Sequence, residues 1–155
     1  MNTTDIIYLS KKGFKELKKQ IARLSHDVDK LRGELRELDK SDAHEERFAR
    51  IQKLAALQAA EAELQDKQQI LKCARLLPRK RDRLIVAIGS VVDMIDSKGR
   101  MLRYTIVDSL EANPSEGKIS FKSPLGQNLI GKQAKEIVEW STGRGRQQLT
   151  LVRIT

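Results

Sequence analysis

Residues 10–40 read SKKGFKELKKQIARLSHDVDKLRGELRELDK, and the spacing of the apolar residues in that run decides the fold. Phe14, Leu17, Ile21, Leu24, Val28, Leu31, Leu35 and Leu38 follow one another at alternating intervals of three and four. At about 3.6 residues per turn such positions share one stripe of a helix, and a heptad held this long is the pattern of a coiled coil. Ser10 stands where an N-cap belongs, with Tyr8 and Leu9 just outside to pack under the first turn. Gly13 and Gly33 lower the helix propensity, but the seam outweighs them.

The pattern stops at Asp39-Lys40-Ser41-Asp42-Ala43. Ser and Asp side chains compete with the helix for backbone hydrogen bonds and so favour turns and caps. A second helical stretch runs from about Glu45 to Leu77, with Ile51, Leu54, Leu57, Leu64, Leu71 and Ala74 as a looser stripe. Ala55, Ala59, Ala60 and Ala62 are small enough to let two helices approach closely. Two long helices and a short turn predict an antiparallel hairpin over residues 1–77, with its tip near 39–47. From Ser10 to Lys40, at ~1.5 Å per residue, the first helix is long enough to reach across roughly 45 Å.

Pro78-Arg79-Lys80-Arg81-Asp82-Arg83 breaks the helical pattern and reads as a basic linker over 78–84. Beyond it the period changes to that of strands. Ile85–Ile95, the turn Asp96-Ser97-Lys98-Gly99 and Met101–Val107 read as a hairpin. Glu111–Gly117 is a loop, Lys118–Phe121 a short strand, and Ser123-Pro124-Leu125-Gly126 opens a helical turn. Ile137–Trp140, the turn Thr142-Gly143-Arg144-Gly145 and Gln147–Ile154 form a last hairpin. The fold class is therefore an N-terminal antiparallel coiled-coil hairpin followed, over residues 85–155, by a small α+β domain with an antiparallel sheet.

Composition narrows the function. Charged residues are 33% and hydrophobic residues 39%, too polar for one large core. Aromatics are 4%, which argues against a base-stacking surface, and the net charge of +9 points to an anionic partner. Cys73 is the single cysteine, so neither an intramolecular disulfide nor a cysteine zinc site can form. No run approaches the roughly 18 apolar residues of a membrane span, and the first residues lack a signal-peptide profile. The expectation is a cytoplasmic monomer with no membrane partner and no cofactor of its own. Near the tip, Asp42 reads as the N-cap of the second helix and Glu45, three residues on, as its capping-box partner. His44 between them reads as a solvated turn residue, and His26 falls on the exposed side of the seam.

The stretch Lys122-Ser123-Pro124-Leu125-Gly126-Gln127-Asn128-Leu129-Ile130-Gly131-Lys132 resembles the Ser-Pro and Leu-Ile-Gly-Lys signature of the bacterial Gre factors, and Leu9–Leu17 resembles that family's opening. The resemblance covers nearly the whole chain. It implies an FKBP-like C-terminal domain that docks on bacterial RNA polymerase through Ser123, Pro124 and Leu125, while the coiled coil enters the secondary channel. It also implies that the factor stimulates the polymerase's own cleavage of the nascent RNA 3′ end, without being a nuclease itself. The family's tip motif is Gly-Asp-Leu, a variable residue, Glu and Asn. The matching residues here are Ser41-Asp42-Ala43-His44-Glu45-Glu46, which keep the Asp and the Glu and replace the other three.

By that resemblance Asp42 and Glu45 are the catalytic pair, acting on a Mg²⁺ that belongs to the polymerase active site. Hard carboxylate oxygens suit Mg²⁺, and one hairpin offers too few of them to hold the ion alone. Arg36, Lys40, Arg47 and Arg50 lie towards the tip and are candidates to touch the RNA 3′ end or the channel wall. The altered tip keeps a second reading open: a channel-binding regulator or inhibitor that does not stimulate cleavage. A coiled-coil adaptor with an unrelated partner is opposed by the signature residues, and a prolyl isomerase by the scarcity of aromatic rings.

Overall fold

The seam residues of the first helix all turn inward. The computed structural model describes residues 5–40, 46–78 and 83–155. Contacts divide them into two units, one built on Lys12–Ala74 and the other on Ile6–Lys11 with Arg75–Thr155. In the first unit, α1 spans Lys11–Leu38 and α2 spans Glu46–Cys73. Val28 is buried, Leu17 nearly so, and the other six residues of the predicted stripe are half-buried. The cross-helix contacts run in opposite directions along the two helices. Gln20 meets Lys67, Arg32 meets Glu61, Glu34 meets Lys53 and Asp39 meets Arg50. That order makes the hairpin antiparallel.

The second helix corrects the predicted stripe. Its inward residues are Ala49, Lys53, Leu57, Ala60, Leu64, Lys67 and Leu71. Ile51 and Leu54, expected in the seam, are 65% and 46% exposed. The reason is angular. At about 100° per residue, steps of three slip back by about 60° each, so Leu54 and Ile51 rotate away from the buried Leu57. Lys53, four residues from Leu57, stays near the seam and bonds Glu34, whose carboxyl its ammonium holds below the usual carboxylate range. Ala55, Ala59 and Ala62 are also exposed, so close approach falls to Ala49 and Ala60.

The helix ends at Cys73, short of the expected Leu77. Ala74–Leu76 instead form strand β2, which pairs with the unpredicted β1, Ile7–Leu9. The Leu77 N–H donates to the Leu9 carbonyl at 3.0 Å. Backbone groups here find partners in a sheet, which overrides the helical propensity of the segment. Ser10 is tied to the same unit: its N–H and its hydroxyl both donate to the Glu111 carboxylate, at 2.9 and 2.5 Å.

The second unit holds a five-stranded sheet. Its strands are β3 (Val91–Asp96), β4 (Met101–Val107), β5 (Lys118–Ser120), β6 (Ile137–Thr142) and β7 (Gly145–Ile154), in the spatial order β5-β4-β3-β7-β6. All pairs are antiparallel except β4 with β5, which run parallel, so the sheet is mixed. The predicted strand over 85–95 begins only at Val91. Gly89 takes φ +88°, and Ser90 Oγ accepts from the Ala87 N–H, which closes a turn before the strand. In the β3–β4 turn, Asp96 accepts from the backbone N–H groups of Lys98 and Arg100, both at 2.9 Å. A helix α3, Pro124–Leu129, packs against the sheet. Val92, Met94, Ile106, Leu129, Leu149 and Leu151 form the core, each no more than 2% exposed.

The seam of the hairpin and the outer face of α2 give a direct test. Val28→Asp buries an unpaired charge in the seam and should cost about 3 kcal/mol or more. Ile51→Asp, on the exposed face, should change stability by no more than about 0.5 kcal/mol. Circular dichroism should therefore show lost helix for the first variant only. Equal loss from both would place Ile51 in the seam.

Candidate functional site

Ser123, Pro124 and Leu125 form the start of α3, in the register the sequence favours. Ser123 is the N-cap, with extended φ and ψ, and its hydroxyl accepts from the Gly126 N–H at 3.1 Å. The same hydroxyl donates to the Ser120 carbonyl at 2.6 Å, which ties the cap to the end of β5. Pro124 fills the first helical position, where a missing N–H costs nothing. It is exposed, whereas Leu125 packs against the core. The helical turn that Ser123-Pro124-Leu125-Gly126 opens in the sequence thus begins at Pro124 and runs to Leu129.

Gly126 fixes how closely this corner closes. A Cβ at that position would stand 2.1 Å from the Ser120 carbonyl oxygen and 2.9 Å from the Phe121 Cα. Both are backbone atoms, which cannot move aside as a flexible side chain can. The glycine therefore lets α3 lie directly on the β5 exit, and this presents Pro124 at the surface.

The other predicted residues lie in the first unit. Arg36 is exposed in the last turn of α1, where a cation complements the helix dipole. Lys40 pairs with Glu37 at 2.7 Å, and Arg50 with Asp39 at 2.9 Å, so two of the four basic candidates are engaged within the hairpin. Arg47 is exposed on the first turn of α2. Asp42 and Glu45 lie outside the described residues, as do Ser41, Ala43 and His44. Glu46, next to them, is half-buried, and its Oε2 has no hydrogen-bond partner among the described residues. Phe48 and Ile51 follow it on the outer face of α2, 69% and 65% exposed. Sequence reasoning missed that outward face because it assigned Ile51 to the seam. The two-residue offset between Ile51 and the true seam position, Lys53, was hidden by the lysine. No helix among the described residues is long and apolar enough to cross a membrane.

Residues 82–155 match the family described as transcription elongation factor, GreA/GreB, C-terminal. A transcription elongation factor GreA of Chlorobium phaeobacteroides is 30% identical over 156 residues, covering 97% of each chain. The chain belongs to the GreA/GreB family of transcription elongation factors. Another GreA, from Thermomicrobium roseum, is 36% identical over 96 residues, which span 61% of each chain. Among solved structures, GreA factor homolog 1 (Gfh1) of Thermus thermophilus is 26% identical, with 96% of this chain and 98% of that one covered and a TM-score of 0.45. The family match spans both α3 and Gly126, so the corner described above lies inside the shared part of the chain.

Gly126→Ala forces backbone to shift and should destabilise the second unit by about 3 kcal/mol. Ser123→Ala removes one cap bond and should cost about 1 kcal/mol. Thermal unfolding should rank them in that order below wild type. A Gly126→Ala protein as stable as wild type would show that α3 does not close on Ser120.

Proposed function

We propose that this chain binds bacterial RNA polymerase, enters its secondary channel with the helical hairpin, and stimulates cleavage of the nascent RNA 3′ end in backtracked complexes. The observation that carries this reading is the match to a GreA elongation factor along 97% of both chains, hairpin and sheet domain together. The hairpin supports it physically. Its 28-residue α1 is about 42 Å long at ~1.5 Å per residue, and such a thin element buries too little to be justified by stability alone. The second unit carries the docking residues, Pro124 exposed and Ser123 holding it in place, in an FKBP-like arrangement.

At the tip, Asp42 and Glu45 bring negative charge to a site the polymerase completes. Magnesium held by the polymerase supplies charge neutralisation and water activation for phosphodiester cleavage. Carboxylate oxygens are the ligand type this ion takes, so the donor set fits, but two side chains cannot complete its shell. The isolated chain therefore has no nuclease activity. Arg36 and Arg47, exposed beside the tip, attract the RNA phosphates. A second reading, a channel-binding regulator without cleavage, is favoured by Ser41, Ala43 and Glu46, which replace the family's Gly, Leu and Asn.

Asp42→Asn keeps the capping ability of the residue but removes its charge. Stimulated cleavage in a stalled, backtracked complex should fall by ~10²–10³ with little change in polymerase binding. Pro124→Glu places a carboxylate in the first turn of α3, which the helix tolerates. It should weaken polymerase binding at least about tenfold, near 1.4 kcal/mol. Wild-type protein that binds polymerase but never shortens the RNA would select the second reading. Unchanged cleavage by Asp42→Asn would remove the tip from the chemistry.

A further inference from the structure

One face of the sheet is covered by the core and α3, and the other is open. On the open face the strand register aligns Met101, Ile95, Thr150 and Ile137 in one row across β4, β3, β7 and β6. The next row is Arg103, Asp93 and Arg153. Met101 is 65% exposed and Ile137 57%, so an apolar row lies beside a charged one.

Asp93 is the unusual member. It is 7% exposed although it points away from the core. Arg103 covers it, donating from Nε to Oδ1 at 2.6 Å and from Nη2 to Oδ2 at 3.2 Å, while the Arg103 side chain stays 71% exposed. That hydrogen bond holds the Asp93 carboxyl below the usual carboxylate range. The guanidinium is thus oriented before any partner arrives, and the ordering it needs is already complete. Arginine and methionine are both enriched in the centres of protein interfaces. Asp93 is bonded by Arg103 and flanked in register by Arg153, so two arginines stand beside one carboxylate and the row is positive.

We propose that this open face is a docking surface for an acidic segment of RNA polymerase that also carries apolar side chains. The inference rests on the polymerase-binding reading above. A protein fits better than nucleic acid, because Met101, Ile95 and Ile137 offer nothing to phosphates and no ring to bases. A second copy of this chain fits poorly, since a symmetric pairing of this face would bring like-charged arginines together.

The test is equilibrium binding of full-length protein to bacterial core RNA polymerase, with thermal unfolding as a check on folding. Met101→Ser with Ile137→Ser, and separately Arg153→Glu, should each weaken binding at least about tenfold. Arg153→Lys should retain most of the affinity. Binding of Arg153→Glu should also depend less on salt than that of wild type. Wild-type affinity in both open-face variants, alongside the loss expected from Pro124→Glu, would overturn this inference and leave the polymerase reading intact. Failure of wild type to bind polymerase would remove both. If wild type sediments as a dimer and the open-face variants as monomers with unchanged polymerase affinity, the face belongs to a second copy and the proposal falls.

Discussion

A hairpin of two helices has one interface, and everything else about the first unit follows from that limit. Each helix can bury a single stripe, so the identity of the residue at each inward position sets the register of the whole element. In α1 that stripe is apolar from Phe14 to Leu38. In α2 it mixes Leu57, Leu64 and Leu71 with alanines and with Lys53 and Lys67. The lysines remain compatible with the seam because their stems lie along it while their ammonium groups reach Glu34 and Gln20. These polar contacts are partly exposed and add little stability. They act mainly to fix which residues face one another along a narrow interface.

The same limit explains why the tip-side half of α2 looks different outside. With alanine and lysine turned inward there, the large apolar residues Phe48, Ile51 and Leu54 are left at the surface. The basic groups beside them are partly spent on Asp39 and Glu37, so the tip region is not a uniformly positive surface. In the second unit a different constraint operates. The contact of Gly126 with the Ser120 carbonyl decides where α3 sits, and Ser123 bonds both sides of that contact. The corner is rigid because it is built from backbone.

Much of this was legible in the sequence. The α1 stripe, the last hairpin and the Ser-Pro start of α3 followed from spacing, capping chemistry and the fixed φ of proline. What was misread has physical causes. Ile51 and Leu54 were placed in the seam because hydrophobicity was followed without the 100° advance of the helix, and a lysine concealed the true position. β1 and β2 were missed because three-residue strands leave almost no periodicity, and only a partner distant in sequence stabilises them. The parallel pairing of β5 depends on a crossover that no local pattern encodes. The Asp93–Arg103 pair was invisible for the same reason: its two residues meet only once the β3–β4 register is set.

The central claim is that the hairpin works inside the polymerase, and its most direct test places a probe on the tip. A photo-reactive phenylalanine analogue at Phe48, 69% exposed on α2, reports whatever surface that side chain meets. In a backtracked elongation complex the account predicts cross-links to polymerase segments lining the channel near the active centre, and their loss when Pro124→Glu is added. Cross-links confined to the outer surface of a polymerase that is still bound would contradict it.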